Sequence, residues 1–219
     1  MDVIESMKQR HSVRQYTDRQ IEQEKRDVLN GLIEGINREN GLHIQVFYDE
    51  PKCFDSFKAH YGKFSNVRNY IALVGLKGED IDETLGYWGE KIVLEAQGLG
   101  LNTCWVALTH GKSLAEVSKD EKQGCLISLG YGCTNGAPRK SKAPKDVSNY
   151  REGMPDWFLD GVNAALLAPT AVNRQNFFFE LLPSDEVKAT CGIGFYGKVN
   201  LGIAKYHFEA VTGRKVIRS

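Results

Sequence analysis

The sequence predicts an α+β fold, and three observations carry that prediction. Apolar residues recur at helical spacing over residues 80–101, residues 42–48 alternate like a half-buried strand, and residues 69–75 are almost continuously apolar. An amphipathic helix repeats every 3.6 residues and a one-sided strand every two, whereas a strand covered on both faces loses its polar partners altogether. Helices and strands do not alternate in regular βαβ units, which argues against a parallel α/β architecture.

Taken in order, residues 2–9 form a short amphipathic helix with Val3, Ile4 and Met7 on one face. The basic stretch RHSVRQY then breaks the pattern. Thr17 and Gln20 have capping-box spacing and open a helix to about Arg38, with Ile21, Val28, Leu32 and Ile36 as its buried stripe and Gly41 at its stop. Residues 42–48 and 69–75 follow as strands, the second of them central. Residues 80–101 carry Ile81, Leu85, Trp88, Ile92 and Ala96 at helical spacing, and Gly98 and Gly100 end that helix. Residues 103–108 and 125–132 read as strands, with a short helix opening near Ser113 between them. The segment 133–150, rich in Gly, Pro, Lys and Ser, is a connector that divides the chain into halves 1–145 and 146–219. Beyond it, 156–168 are helical, 176–182 form a strand, and 197–213 form a last helix. The two halves share an outline, each with a long helix ending near glycine, at 86–100 and 197–213.

The 28 acidic residues balance 28 basic ones. A general nucleic-acid or membrane-surface binder needs a basic excess, so neither partner is expected, and any anion must be held by a local cluster. Cys53, Cys104, Cys125, Cys133 and Cys191 are scattered, with neither C-x-x-C nor zinc-like Cys/His spacing. They read as free thiols of a reduced, cytoplasmic protein without a metal site. No apolar run has the length of a signal peptide or approaches the ~18 residues of a membrane span.

Two segments concentrate chemistry. Arg10-His11-Ser12-Val13-Arg14 brings two guanidinium forks, an imidazole and a hydroxyl together. Arginine matches a phosphate bidentately and a hydroxyl satisfies an acceptor the forks miss, so this is either a seat for one phosphate or a solvated basic turn. In the second segment, residues 168–177, Pro169 forces a turn, small residues allow close backbone approach, and Asn173 and Gln175 bring amide groups. Such a turn suits a planar heterocycle with alternating N–H and C=O groups, or simply links a helix to a strand.

In combination these motifs resemble the nitroreductase family of FMN-dependent, NAD(P)H-using oxidoreductases. Arg10-His11-Ser12-Val13-Arg14 is similar to its R-R/H-S-x-R/K element, and Pro169, Thr170, Ala171, Asn173 and Gln175 to its A-P-S-A-x-N-x-Q-P-W element. Residues 98–105, GLGLNTCW, are similar to its G-L-G-x-x-C-W helix end, and Gly130-Tyr131 with Arg139, Lys140 and Lys142 to its G-Y element with a basic stretch. The A-P-S-A-x-N element follows the G-L-G element here, an order that resembles a rearranged branch of the family. Thr170 keeps the hydroxyl of the family's Ser, while Asn176-Phe177 replaces Pro-Trp and alters the substrate-side wall.

The resemblance implies a central mixed, mainly antiparallel sheet flanked by helices, and FMN as cofactor. It implies that Arg10, Ser12 and Arg14 hold the phosphate with His11 beside the ribityl-phosphate end, and that Lys140 or Lys142 adds positive charge. Pro169, Thr170, Ala171 and Asn173 would line the ring system and ribityl chain, with Gln175 also in the cofactor site and the Val106, Ala107 and Leu108 backbone near the redox edge. The hydride chemistry belongs to the cofactor, so no catalytic acid or base is named. The implied partners are NAD(P)H, a small electron-poor acceptor such as a nitroaromatic or quinone, and a second copy in a homodimer. Other flavin chemistry on the same scaffold, a flavin-binding redox sensor or FMN store without turnover, and a decayed site are the rival readings. His207, Trp88 and Trp157 read as packing residues, His110 as a loop histidine or a flavin neighbour, and Gly192-Ile193-Gly194 as too little for a dinucleotide fingerprint.

Overall fold

The computed structural model describes residues 2–217. Its helices are α1 (Val3–Gln9), α2 (Gln23–Asn40), α3 (Phe57–Tyr61), α4 (Ile81–Gly98), α5 (Pro144–Val147), α6 (Asp156–Leu166) and α7 (Gly197–Thr212). Its strands are β1 (Gln45–Phe47), β2 (Asn69–Leu76), β3 (Asn102–Val106), β4 (Glu121–Gly130), β5 (Phe177–Leu181), β6 (Val187–Cys191) and β7 (Val216–Ile217). The α+β expectation holds, with sheets that are antiparallel except for one parallel pair, β6 with β7. The chain divides into two compact units, one of Gln9–Ile81 and Ile92–Pro138, the other of Met1–Lys8, Asp82–Lys91 and Arg139–Ser219. Among the described residues no helix is long and apolar enough to cross a membrane.

The first unit is built on an antiparallel sheet of order β1-β2-β4-β3. β2 is central, which is why its sequence is apolar without alternation: every residue from Asn69 to Gly75 is buried. Tyr70 stacks on Phe47 at 4.9 Å, and Phe54 meets Phe64 edge-on at 5.2 Å, in a core that also holds Val13, Tyr16, Cys104 and Leu126.

Three local expectations fail in this unit. α2 begins at Gln23, not near Thr17, because Thr17 turns to Tyr131, whose carbonyl accepts from both its backbone N–H (2.8 Å) and its hydroxyl (3.2 Å). The later start moves the buried stripe to Leu29, Ile33 and Ile36 and leaves Val28 45% exposed, while Ile21 is buried ahead of the helix. No helix opens at Ser113, whose hydroxyl instead donates to Gln123 Oε1 at 2.6 Å. The 42–48 strand also shortens to Gln45–Phe47. Short α3 was not foreseen, although its cap is legible: the Ser56 hydroxyl accepts from Ala59 N–H.

In the second unit a β5–β6 hairpin carries β7 on its outer side, and α7 packs against α6. Phe208 of α7 stacks on Phe179 of β5 at 5.0 Å and meets Phe158 of α6 edge-on at 6.1 Å. α7 also runs against residues 82–91 of α4, where glycines let two backbones touch: a Cβ on Gly202 would lie 1.9 Å from Glu83 O, and one on Gly86 2.2 Å from Val199 O. Two polar contacts seal this interface, buried Lys205 Nζ to half-buried Glu83 at 2.6 Å and wholly buried His207 Nε2 to Glu90 at 2.9 Å. Strands β6 and β7 go beyond the sequence reading, and β7, at two residues, is too short to show a period.

Candidate active site

The basic segment 10–14 belongs to the first unit and lies along the free edge of β3. Ser12 bridges to Thr103 in parallel, and Val13 N–H donates to Thr103 O at 3.0 Å. Cys104, the next residue of β3, lies beside this segment. The Ser12 hydroxyl is hydrogen-bonded to its thiol, and the charges of Arg14 and Arg10 both act on it. Burial nevertheless outweighs these influences and pushes the Cys104 thiol upward, so it is a packed neutral group. Beneath it the Tyr16 hydroxyl donates to Val13 O (2.8 Å) and shares a hydrogen bond with Ser128 (2.8 Å). Arg10 is buried (2% exposed), whereas Arg14 is exposed, with its guanidinium over the Phe64 ring.

His11 is half-buried under a loop that must be glycine-rich. A Cβ on Gly136, which has φ +75°, would lie 2.7 Å from His11 Cβ, and one on Gly132 would lie 2.7 Å from Val13 Cγ1. Tyr131, of the G-Y element, clamps the start of α2. Its hydroxyl donates to the Glu22 carboxylate and accepts from Lys25 Nζ, and the Arg19 guanidinium sits 4.0 Å from its ring centre. That hydroxyl, helped by Arg19, pulls the Glu22 carboxyl down to about 2. Val106 is buried at the end of β3, Ala107 is half-buried and Leu108 is 62% exposed. His110 follows, its Nδ1 within 2.6 Å of Gly111 O.

The remaining candidates belong to the second unit. α6 ends at Leu166, and Pro169 then turns the chain into a tight loop whose short helical turn is Ala171–Asn173. Val172, Asn173 and Gln175 all have left-handed backbones, with φ of +46°, +54° and +46°. A β-branched residue there is a real outlier, because its Cβ crowds the following carbonyl; such strain of roughly 1–3 kcal/mol persists only where the surroundings impose it. Here they do. Ala171 N–H donates to Asn200 Oδ1 of α7 (3.0 Å), and Gln175 N–H donates to the Thr170 hydroxyl (3.0 Å).

The Gln175 side chain, 1% exposed, is fully engaged by protein: Oε1 accepts from Lys142 N–H (2.8 Å), and Nε2 donates to Leu166 O (2.9 Å) and Ser141 Oγ (3.0 Å). Asn173 Nδ2 donates to Lys140 O (2.8 Å), while its buried Oδ1 has no hydrogen-bond partner among the described residues. The basic stretch closes the end of α6. Arg139 donates to Leu167 O (2.6 Å) and Ala168 O (2.5 Å), and Lys142 Nζ donates to Gln175 O (3.1 Å). Cations at a helix C-terminus also answer its partial negative charge. Lys140 is exposed.

Sequence reasoning missed Asn200, Arg139 and Ser141 as supports of this loop. Asn200 was visible as a polar residue on the apolar face of α7, and it is 6% exposed. His207 proves to be wholly buried, with Nδ1 donating to Ala164 O (3.0 Å) and Nε2 against Glu90.

Comparison with known proteins fits this arrangement. A family model described as "Putative TM nitroreductase" matches residues 2–212. A putative nitroreductase of Thermotoga maritima superposes with a TM-score of 0.71 at 24% identity, covering 100% of this chain and 89% of that one. A putative nitroreductase of Desulfovibrio desulfuricans, crystallised in complex with FMN, gives 0.55 at 19% identity over 71% of this chain and 99% of that one. A putative NADH dehydrogenase/NAD(P)H nitroreductase of Bacteroides thetaiotaomicron gives 0.52 at 21% identity over 66% and 95%. No curated protein sequence matches. These likenesses establish a shared fold, and the family match spans nearly every described element: the chain belongs to this nitroreductase family.

Proposed function

We propose that this chain binds FMN and transfers electrons from NAD(P)H to a small electron-poor acceptor such as a nitroaromatic or quinone. The observation that carries the reading is that segment 10–14 lies along the β3 edge, with Ser12 bridged to Thr103 and Arg10 and Arg14 two residues to either side of it. Two guanidinium groups and a hydroxyl form a donor set matched to a phosphate monoester, in a chain whose formal net charge is zero. Lys140 would add positive charge, and His11 would lie beside the ribityl-phosphate end.

The residues of the second unit also fit the cofactor. Pro169, Thr170, Ala171 and Asn173 would line the ring system and ribityl chain, and the unpartnered Asn173 Oδ1 is an acceptor suited to a ring N–H. The hydride-accepting and electron-donating chemistry would be supplied by bound FMN. The protein's part is to bind, orient and keep water from the ring. The backbone of Val106, Ala107 and Leu108 would lie near the redox edge, with Leu108 offering an apolar contact to an incoming acceptor. Family resemblance supports a homodimer as the working form.

Two experiments test this. NADH and NADPH oxidation by the FMN-loaded protein should be stimulated by a quinone or nitroaromatic; FMN bound without turnover would support the sensor or store instead. In flavin titrations Arg14→Ala should weaken FMN at least ~10-fold, since a hydrogen bond to a charged group contributes about 1.5–3 kcal/mol, and should leave riboflavin unchanged. Equal weakening of both flavins would remove Arg14 from the phosphate site.

A further inference from the structure

We propose that Gln175 is a positioning residue that locks the strained loop 170–175 to the basic segment 139–142, and that it does not touch the flavin. The inference rests on the flavin-binding reading only for its functional consequence. The lock itself is drawn from geometry.

A side-chain amide has two N–H donors, and both of Gln175's are satisfied, one by Leu166 O at the end of α6 and one by Ser141 Oγ. Its oxygen accepts the backbone N–H of Lys142, its own carbonyl accepts Lys142 Nζ, and its own N–H is held by Thr170. With 1% of its surface exposed, Gln175 has neither a free donor nor an open face for a ligand. It joins the helix end, the basic segment and the turn at Thr170, and no other residue of the loop bonds to all of them. Its left-handed backbone is unfavourable for a residue with a side chain. That conformation is held because releasing Gln175 would leave several buried polar groups without partners.

Two consequences follow. Loosening Gln175 should free both segments together, although 33 residues separate Lys142 from Gln175. It should also lower affinity for the ring portion of a flavin, because Asn173 is anchored to Lys140 O and loses its fixed position.

The test compares the full-length parent with Gln175→Leu, which keeps the bulk and removes the amide. Backbone hydrogen exchange is measured on the flavin-free proteins, and riboflavin and FMN affinities are measured by fluorescence titration. Exchange should rise about tenfold or more in both 139–143 and 168–176 and stay at parental rates in β2 and β4, with riboflavin and FMN weakened by a similar factor. Ser141→Ala, at an exposed position that removes only one of the partners, should give a smaller acceleration in the same two segments, and it stands in if Gln175→Leu does not fold. Unchanged exchange in both variants overturns the proposal. Unchanged exchange combined with weaker flavin binding would make Gln175 a direct contact, which overturns it as well. If the parent binds neither flavin, the functional reading above fails while the exchange data still decide the role of Gln175.

Discussion

Replacing Gly202 with alanine probes the packing on which the 170–175 loop depends. A Cβ at that position would lie 1.9 Å from Glu83 O and 2.7 Å from Tyr87 N. Both are main-chain atoms of α4, so no side chain can swing aside, and the helices must part by about 1.5 Å to reach the 3.4 Å at which ordinary contact begins. Overpacking of this kind costs about 1–3 kcal/mol. Parting the helices also stretches Lys205–Glu83 and the wholly buried His207–Glu90, where a weakened partner leaves desolvated groups poorly compensated. We expect a loss of roughly 3 kcal/mol or more, which at about 2–4 °C per kcal/mol for a chain of this size lowers Tm by about 6–12 °C. Asn200, two residues away on α7, would move with the helix and release Ala171 N–H, so flavin affinity should fall as well. Gly31→Ala in α2 is the control: nothing lies within 4 Å of its Cβ, and relief of backbone entropy should raise stability by about 0.5–1 kcal/mol. Thermal melts followed by circular dichroism decide it. A Gly202→Ala protein that melts within about 1 °C of the parent would refute the close helix contact.

Other perturbations test separate parts of the account. Phe208→Ala removes the ring shared by Phe179, Phe158 and Gly161, and should cost about 3–5 kcal/mol, read as a lower urea midpoint at unchanged slope. With a thiol reagent at mildly alkaline pH, exposed Cys133 should react first and half-buried Cys191 next. Cys53, pushed up to about 12 by burial, and Cys104, also raised by burial, should react only on unfolding; early modification of either would contradict the packing of the core they share. The Glu22 carboxyl is held down to about 2 by Tyr131, so its contribution is complete above its ordinary value of 4.5 and is lost as pH falls from there towards 2. Melting temperature should therefore fall more steeply over that acid range in the parent than in Glu22→Gln, and parallel curves would show the Tyr131 clamp to be inert.

How far the sequence reached depends on whether a local pattern or a distant partner decides each feature. β2 and α4 were legible because burial writes itself into spacing: a strand covered on both faces has no polar alternation, and a packed helix repeats its apolar side. The end of α2 at Gly41 was equally local, since φ +63° favours glycine. Its start was not, because Tyr131, far along the chain, takes Thr17 as a partner and leaves the capping box unformed. Ser113 was diverted in the same way by Gln123. At the candidate site the residue types in 10–14 and 169–175 were readable as motifs, but their division of labour was not. Nothing in Gln175 itself says that both its donors face protein, and nothing in Lys142 says that its ammonium caps a carbonyl. Two of those three pairings, Gln175 with Ser141 and Lys142 with Gln175, join residues more than thirty apart, which periodicity does not encode.

The central claim is that the purified chain carries, or takes up, a reducible flavin. Its absorbance spectrum from the near-ultraviolet to the blue, recorded before and after anaerobic addition of NADPH, tests this most directly. The account predicts protein-bound flavin bands that bleach with NADPH and return when air or a quinone is admitted. A spectrum without flavin bands, even after incubation with excess FMN, would contradict it.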